Sequence, residues 1–365
     1  MHCPASRSRL LMFRSRLVTI TVPLLAILPA LGLTGCGSAG TSSSTQTAAA
    51  HVATSTTTSS VTTITSPTVT SSSEAGTQTA TTAAALPGAG KPAITVGDKN
   101  YTEQFVLGQL YVQALQAEGF SVTINQNIGP TQVTLQALKT GSLSMYPEYL
   151  DVFNTAVAGY RHGFRTELDA YQGAQHYALA HDLEVLAPTP FSDSDAIAVT
   201  DSYAAANRLR SIGDLRRVAD TLILGGPPQF QQGTPGLPQI SEDYGVTPAA
   251  FKAVAVGDQY ADLNTDVIQA ADVNTTDGQL ASGDYSLLRD PRRIFGWGNV
   301  VPVVSARALA TEGPAFEATI ERVDDALTTD VIRRLNQAVD ISQESPAAVA
   351  KQFLETHGLL TPAPF

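Results

Sequence analysis

The residue types that most often carry catalytic chemistry are not spaced for it in this chain. His176 and His181 are five positions apart, whereas zinc ligands on one helix face are four apart. Cys3 and Cys36 are the only cysteines, which excludes a disulfide framework and any multi-cysteine zinc or iron–sulfur site. Neither a Gly-x-Ser-x-Gly nucleophile motif nor a Gly-x4-Gly-Lys-Ser/Thr phosphate loop occurs. We therefore predict that the protein is not an enzyme and that it uses no metal and no other cofactor.

The charge of the chain excludes partners that bind through basic residues. Acidic residues outnumber basic ones 33 to 22 in the 365 residues. Four of the basic residues lie in the first 35 positions, which contain no acid, so the remainder carries 33 acidic and 18 basic residues and a formal charge of −15. Affinity for nucleic acid comes from Lys and Arg. We therefore expect no nucleic-acid partner.

The first 36 residues have the pattern of a secretory signal. Arginines at 7, 9, 14 and 16 form a basic start, an apolar run follows from Leu17 to Leu33, and the run ends in Leu33-Thr34-Gly35-Cys36. A membrane-spanning helix is the alternative, although seventeen residues is about the shortest stretch that spans a bilayer. The last four residues resemble the lipobox of bacterial lipoproteins. We predict a signal peptide over residues 1–35, lipidation at Cys36, and a protein anchored on the extracytoplasmic face of the plasma membrane.

The composition of residues 36–92 predicts a tether. They are nearly all Ser, Thr, Ala and Gly, and Glu74 is the only formal charge between Cys36 and Lys91. Such a segment cannot bury enough apolar surface to offset the entropy lost on ordering, so we predict that it is disordered.

The pattern of short elements after residue 92 predicts an α/β fold. Three strands and two helices alternate over Ile94–Val96, 102–118, Ser121–Ile124, 131–139 and Leu143–Tyr146, which is typical of a parallel α/β unit. Further strands are predicted at Ala196–Thr200 and Val300–Ser305, and helices at 316–327, 331–339 and 345–357. This order favours two lobes, with lobe 1 formed by residues 93–198 and 301–365 and lobe 2 by residues 199–300. We expect the chain to cross near Ala196–Thr200 and to return near Val300–Ser305.

Several motifs resemble those of substrate-binding proteins of ABC importers for glycine betaine, choline and related osmoprotectants. They occur along this chain in the same order as in that family. The motifs are Lys99-Asn100-Tyr101-Thr102-Glu103-Gln104, Tyr146-Pro147-Glu148-Tyr149, the stretch from Pro190 to Val199, Gly225-Gly226-Pro227-Pro228, Thr275-Thr276-Asp277-Gly278 and Asn299-Val300-Val301-Pro302. The resemblance implies a type II periplasmic-binding-protein fold, in which each lobe is a mixed sheet flanked by helices and two hinge strands cross between the lobes. It also implies that ligand is held in the cleft and that a membrane permease recognises the closed form.

The resemblance also implies a set of ligand-binding residues. Aromatic rings surround the quaternary ammonium in such relatives, because a cation that cannot donate hydrogen bonds is best met by π faces. Tyr149 matches a cage tyrosine, and Trp297 is a candidate for a second ring. The full predicted set is Lys99, Asn100, Thr102, Gln104, Tyr149, Asp193, Asp195, Asn274, Thr275 and Trp297.

Some family positions are occupied by other residue types in this chain. Asp195 and Asn274 stand where aromatic residues are expected, and the arginine that some relatives carry after Gly-Gly-Pro-Pro is absent. Either Asp193 and Asp195 supply charge to a cation beside fewer rings, or the pocket serves another solute, such as a polyol, an aromatic or a cationic amine. For single residues the alternatives are packing for Tyr149, an ordinary surface position for Lys99 and a turn cap for Asp193.

These observations predict a monomeric, lipid-anchored receptor for an ABC importer that captures a quaternary amine and delivers it to a permease subunit. The alternatives are a receptor of the same fold for a different small solute and a structural surface lipoprotein with a degenerate pocket.

Overall fold

The computed structural model describes residues 85–161 and 163–361 of the chain. The predicted signal peptide, Cys36 and most of the predicted tether lie outside the described residues. The strands are β1 (Ile94–Gly97), β2 (Val122–Asn125), β3 (Met145–Tyr149), β4 (Leu183–Val185), β5 (Asp195–Thr200), β6 (Ile223–Gly226), β7 (Ala250–Ala253), β8 (Ala270–Asn274), β9 (Tyr285–Leu288) and β10 (Val300–Ser305). The helices are α1 (Thr102–Ala117), α2 (Thr131–Lys139), α3 (Leu150–Val152), α4 (Glu167–Leu179), α5 (Asp201–Asn207), α6 (Leu237–Tyr244), α7 (Gln259–Asn264), α8 (Ala306–Glu312), α9 (Pro314–Asp325), α10 (Thr329–Asp340) and α11 (Pro346–Thr356).

The chain packs against lobe 1 before residue 92, the predicted end of the tether. The Gly88 amide donates to the Glu118 carbonyl at 2.9 Å, and the Lys91 ammonium donates to the Thr311 carbonyl at 2.8 Å. A Cβ built on Gly88 would lie 2.2 Å from the Phe120 nitrogen, so the backbone itself is in close contact there. The folded body therefore includes the last residues of the predicted tether, whose Ala, Pro and Gly composition hides this change.

The strands form two sheets of five, in the orders β2-β1-β3-β10-β4 and β7-β6-β8-β5-β9. In the first sheet β1 is parallel to β2 and β3, and β10 is antiparallel to β3 and β4. The second sheet repeats this plan, with β6 parallel to β7 and β8, and β5 antiparallel to β8 and β9. Each sheet thus receives one antiparallel strand from the chain that crosses between the lobes.

Both faces of each sheet are buried. In lobe 1, one face packs against α1, α9, α10 and α11, and the other packs against α2 and α4. The second sheet likewise has two apolar clusters, one built around Ile197, Leu224 and Ile240 and the other around Tyr260 and Ile268. This arrangement confirms the predicted α/β fold with two mixed sheets flanked by helices.

The crossing segments lie just before the strands that we expected to cross. β5 belongs entirely to the second sheet and β10 entirely to the first. The crossings are residues 186–194 and 289–299, which meet in an antiparallel bridge between Ser192 and Asn299. Residues 195–198 therefore belong to lobe 2, not to lobe 1 as predicted, because Ile197 is buried in the lobe 2 core.

Helix α1 places the Lys99–Gln104 motif at the edge of the first sheet. The residue before the helix is Tyr101, whose side chain forms no capping hydrogen bond. The helix ends before Gly119, which has a φ of +84° that favours glycine. The start of α1 follows the carboxyl end of β1, and in open α/β sheets this is the edge at which ligands bind.

Candidate ligand-binding site between the lobes

Lys99 and Glu148 form a buried ion pair at the edge of lobe 1. Lys99 is 2% exposed and Glu148 is fully buried, and the Lys99 ammonium contacts Glu148 Oε1 directly. The Thr131 hydroxyl donates to the other Glu148 oxygen at 3.0 Å. A buried ion pair persists only when its remaining polar atoms are also bonded, as they are here. The positive charge of Lys99 is therefore largely used within lobe 1.

Tyr149, at the end of β3, is fixed by the first turn of α1. Its hydroxyl donates to Glu103 Oε1 at 3.2 Å, and the Lys99 ammonium lies 4.6 Å from the centre of its ring. Burial raises the pKa of the Tyr149 hydroxyl well above its usual value, and the charges of Glu103 and Asp193 raise it further. Burial also raises the pKa of Glu103 to about 6, although hydrogen bonds to its carboxylate partly oppose this. Tyr149 is only 7% exposed, so its ring is held firmly within lobe 1.

A second tyrosine ring lies near Lys99 at the surface. Tyr101 is 53% exposed, and the Lys99 ammonium lies 5.8 Å from its ring centre. Exposed tyrosine rings within about 6 Å of a cation give weaker cation–π contacts than desolvated ones. Tyr101 therefore adds a solvent-exposed aromatic ring beside Lys99.

Helix α10 bonds to the segment of lobe 2 that follows β8. The Asn336 amide donates to Glu103 Oε2 and to the Thr276 carbonyl, both at 2.9 Å. Arg333 donates to the Thr275 carbonyl at 2.8 Å. The two lobes are thus in contact beside Tyr149.

Thr275 connects this segment to the first crossing. Its hydroxyl donates to the Ser192 carbonyl at 2.6 Å and accepts the Ser194 amide at 3.0 Å. The neighbouring Asn274 amide donates to Asp193 Oδ2 at 3.2 Å. Both side chains therefore fix the position of the crossing segment, with Asp193 held at the site as a result.

Lobe 2 and the end of the first crossing present a group of carboxylates, the acidic wall. The acidic wall consists of Asp193, Asp195, Asp272 and Asp277. Asp195 is opposite Asn274 in the β5–β8 register, so it lies on the same face as Asp272, two residues earlier on β8. Asp277 accepts the Tyr260 hydroxyl at 2.8 Å.

The members of the acidic wall affect one another's ionisation. Burial raises the pKa of Asp272 to about 9, and the charges of Asp195 and Asp277 add to the shift. Burial raises the pKa of Asp195 to about 6, again with a contribution from Asp277. Each group would ionise more easily if a positive charge lay near it.

One carboxylate of lobe 1 faces the acidic wall. Burial raises the pKa of Asp151, in α3, to about 7, and the charges of Asp195 and Glu148 raise it further. Because Asp195 belongs to lobe 2, carboxylates from both lobes lie close enough for their charges to interact. The cleft is therefore strongly acidic and suited to a cation.

The structure brings seven of the ten predicted site residues together. Asn100, Thr102 and Trp297 lie at the margin of the site. Gln104 accepts the Lys99 amide at 3.5 Å and so shapes the loop around that lysine. Asn100 is exposed and Thr102 is half-buried at the start of α1. The residues brought together are Lys99, Gln104, Tyr149, Asp193, Asp195, Asn274 and Thr275.

Trp297, the candidate for a second ring, makes packing contacts within the protein. Its indole N–H donates to the Phe164 carbonyl at 3.1 Å, and the Arg293 guanidinium lies 4.3 Å from its ring centre. Gly298, the next residue, must be glycine for a different reason. A Cβ on Gly298 would lie 1.8 Å from the Asp193 carbonyl oxygen. Close approach of the two crossings, rather than exposure of the indole, requires glycine beside Trp297.

Sequence reasoning missed several residues of this site. Glu103, Tyr101, Glu148 and Asp277 lie inside recognised motifs, but the sequence does not show which residues they contact. Asp151 follows the Tyr-Pro-Glu-Tyr motif by two positions. Asp272 lies in β8, a strand that was not predicted from the sequence.

The described ranges contain neither a group of metal-ligating side chains nor a helix that could span a membrane. In residues 85–161 and 163–361, no group of three or more His, Cys, Asp or Glu side chains has an arrangement that could hold a metal ion. Over the same part of the chain, each helix is too short or too polar to cross a membrane.

Residues 92–356 match the family model described as the substrate binding domain of ABC-type glycine betaine transport systems. A glycine-betaine-binding protein of Pseudomonas aeruginosa is 30% identical over 284 residues, which cover 73% of this chain and 88% of that protein. The glycine betaine-binding protein YehZ of Escherichia coli is 26% identical over 292 residues, which cover 75% of this chain and 93% of YehZ.

Solved structures share the two-lobed fold. A glycine betaine/carnitine/choline ABC transporter structure aligns with a TM-score of 0.69 at 21% identity, covering 73% of this chain and 99% of the other. Ligand-free YehZ aligns with a TM-score of 0.64 at 25% identity and the same coverage.

Proposed function

This chain belongs to the family of substrate-binding domains of ABC-type glycine betaine transport systems, and we propose that it is the extracytoplasmic receptor that captures a small quaternary amine between its lobes. It then presents the closed, loaded form to a membrane permease. The observation that carries the proposal is the cleft itself, where Tyr149 and Asp151 of lobe 1 meet the acidic wall of lobe 2. A cation suits both chemistries, because carboxylates supply charge and a tyrosine supplies a π face.

The mechanism couples binding to closure through charge. Asp151 and Asp195 repel one another when both are ionised, so the empty cleft resists closure. A cation between them removes this repulsion and gains contacts from both lobes. A ligand can shift the equilibrium only by its difference in affinity for the two states, and here that difference comes from contacts made in the closed form alone.

Two crossing segments allow the lobes to move. Residues 186–194 and 289–299 meet at the Ser192–Asn299 bridge, and hinge motion concentrates at a few such positions. The segment after β8, held by Arg333 and Asn336 of α10, lies beside this bridge. We propose that the lobes rotate about this region, with lobe 1 formed by residues 86–185 and 300–361 and lobe 2 by residues 195–288.

The remaining features of the proposal concern attachment and chemistry. Cys36, at the end of Leu33-Thr34-Gly35-Cys36, is lipidated in this proposal and holds the receptor at the membrane surface. Cys36→Ala should abolish incorporation of a labelled lipid, and unchanged incorporation would refute the anchor. The protein binds its solute as a monomer, without cofactor and without converting it.

A second candidate is a receptor of the same fold for a different small solute. The observation that favours it is the content of the expected aromatic positions. Asp195 and Asn274 replace rings, and Arg293 covers one face of the only tryptophan, Trp297. A polyol, an aromatic or another cationic amine is the ligand in that case.

The test of the proposal is a thermal-shift screen of the full-length protein with choline, glycine betaine, carnitine, polyols and small aromatics. A ligand at a hundred times its dissociation constant stabilises the native state by about 2.7 kcal/mol. We expect a quaternary amine to raise the melting temperature. A shift produced by a polyol or an aromatic alone would favour the second candidate.

Tyr149→Leu tests whether the stabilising ligand is in the cleft. Loss of a desolvated cation–π contact costs about 2 kcal/mol, on the order of thirtyfold in affinity. Tyr111→Leu is the matched control, because Tyr111 is also a buried tyrosine bonded to an acid, Asp324, but within the core of lobe 1. Equal loss of affinity in both variants would contradict a site at Tyr149.

A further inference from the structure

Asp272 is the most deeply placed member of the acidic wall. It is 6% exposed, and its Oδ1 atom is buried without a hydrogen-bond partner among the described residues. A buried carboxylate oxygen without a donor is costly, so such a group in a native fold requires an explanation. A donor supplied by a ligand would provide one.

The position of Asp272 in its sheet is a position for ligand contact. It is the third residue of β8, next to Gly226 at the carboxyl end of the parallel strand β6. A Cβ on Gly226 would lie 3.0 Å from the Asp272 Cβ, so the glycine leaves room for the aspartate. Ligands of open α/β sheets bind outside the carboxyl ends of the strands.

The charged side chains that act on Asp272 from neighbouring elements are acidic. Asp195 from β5 and Asp277 after β8 act on it most strongly. Asp195 in turn interacts with Asp151 of lobe 1, whose pKa its charge raises. The basic residues near these acids are already engaged, since Lys99 pairs with Glu148 and Arg333 donates to the Thr275 carbonyl.

A ligand carboxylate directed at this wall would meet carboxylate oxygens and, at a pH at which the wall is ionised, negative charge. A hydroxyl or a protonated amine would instead donate to the unpartnered oxygen. The difference matters for two solutes that share a trimethylammonium group, because choline ends in a hydroxyl and glycine betaine ends in a carboxylate. A site whose polar groups are left unpaired by one of two analogues discriminates strongly against that analogue.

We propose that Asp272 selects cationic solutes whose other end donates a hydrogen bond, and rejects those whose other end is a carboxylate. This inference rests on the proposed function, since it assumes capture in the cleft. Asp272 is then a specificity-determining residue, and the natural solute is an amino alcohol or a diamine in preference to a betaine.

Calorimetric titration of the full-length protein with choline and with glycine betaine tests the inference without any variant. We expect choline to bind at least about tenfold more tightly, as when a polar site loses its partner. Glycine betaine binding as tightly as choline, or more tightly, would overturn the inference and leave the proposed function intact. Binding of neither solute, nor of any cationic amine in the screen, would overturn the proposed function as well.

Asp272→Asn separates selection from a structural role. The amide keeps the shape and removes the charge, so the preference for choline should fall about tenfold while the tyrosine contacts remain. Asp243→Asn is the control, because Asp243 is a lobe 2 acid that faces Arg292 away from the wall. Equal weakening of both solutes by Asp272→Asn would mean a structural role and would overturn the inference.

The pH profile gives a second readout that does not need the variant to fold. A cation binds the ionised wall, so choline affinity should rise with pH through the range in which Asp272, whose pKa is about 9, becomes ionised. If Asp272 instead donates its proton to a ligand carboxylate, glycine betaine affinity should be the higher one and should fall as pH rises. That result would overturn the inference.

Discussion

Glu148 is the residue on which the lobe 1 side of the cleft depends most. It is fully buried, pairs with Lys99 and accepts the Thr131 hydroxyl at 3.0 Å. Glu148→Gln should lower the free energy of unfolding by about 3 to 5 kcal/mol, because it leaves the Lys99 ammonium buried without its counter-charge. Urea unfolding of the full-length protein measures this loss.

The control for Glu148→Gln is Glu355→Gln. Glu355 pairs with Lys351 at 3.7 Å in α11, where both side chains are more than half exposed. Exposed pairs of this kind contribute little to stability. Equal losses in the two variants would show that the Lys99–Glu148 pair is no more important than a surface contact.

The sequence identified residues at the site more readily than their partners. Lys99, Gln104 and Tyr149 were found because they lie in recognised motifs. Their contacts depend on how β1, β3 and α1 pack, which spacing alone does not reveal. Asp272 was missed because Ala-Ala-Asp-Val-Asn in β8 is buried on both faces and so lacks a clear alternation of apolar and polar residues.

At the scale of elements, Gly298 controls how closely the two crossings approach. The Asp193 amide donates to the Gly298 carbonyl at 2.9 Å, and a Cβ on Gly298 would lie 1.8 Å from the Asp193 carbonyl oxygen. Gly298→Ala should therefore separate the crossings, lower the melting temperature and weaken solute binding. Thermal unfolding and calorimetric titration measure the two effects.

Gly163→Ala is the matched control for that substitution. A Cβ at Gly163 meets no atom within 4 Å, so alanine should be accommodated there without loss of binding. If Gly298→Ala behaves in the same way, the contact between the crossings is not needed for closure.

The elements predicted best are those whose pattern does not depend on the rest of the fold. Helix α1 and the helices from α9 to α11 agree with prediction to within a few residues, because each has a repeating apolar face and a clear stop. β7 was not predicted, since Ala250–Ala253 is short and partly exposed. β5 was predicted as a strand, but its lobe depends on long-range pairing with β8 and β9.

At the scale of the whole molecule, we predict that the stability of the ligand-free protein depends on pH, because several of its carboxylates are buried. The pKa values are raised in the folded state, to about 6 for Asp195, about 7 for Asp151 and about 9 for Asp272, from 3.8. The folded state therefore binds more protons than the unfolded state between these values. Stability should decrease as pH rises from about 4 to about 9.

Thermal unfolding at about pH 5, 7 and 9 measures this dependence. Asp272→Asn should flatten the part between about pH 7 and 9, because Asp272 is the group with the highest pKa of the three. Saturating choline should flatten the whole curve, since a bound cation favours the ionised carboxylates. Stability that rises over this range in the absence of ligand would contradict an acidic, closely packed cleft.

Capture of a cationic amine between two lobes that close around it should change the surroundings of residues near the crossings. The chain has a single tryptophan, Trp297, which lies next to the crossing residue Gly298 and bonds to lobe 1 through Phe164. Its emission therefore reports on the crossing segments without direct contact with the solute.

The most direct test is a titration of the full-length protein with choline, followed by Trp297 emission, in the wild type and in Tyr149→Leu. We predict a saturable, one-to-one change in the wild type and a curve displaced on the order of thirtyfold to higher choline in the variant. Identical traces in the two proteins, whether both change or both stay flat, would contradict capture of the solute in this cleft.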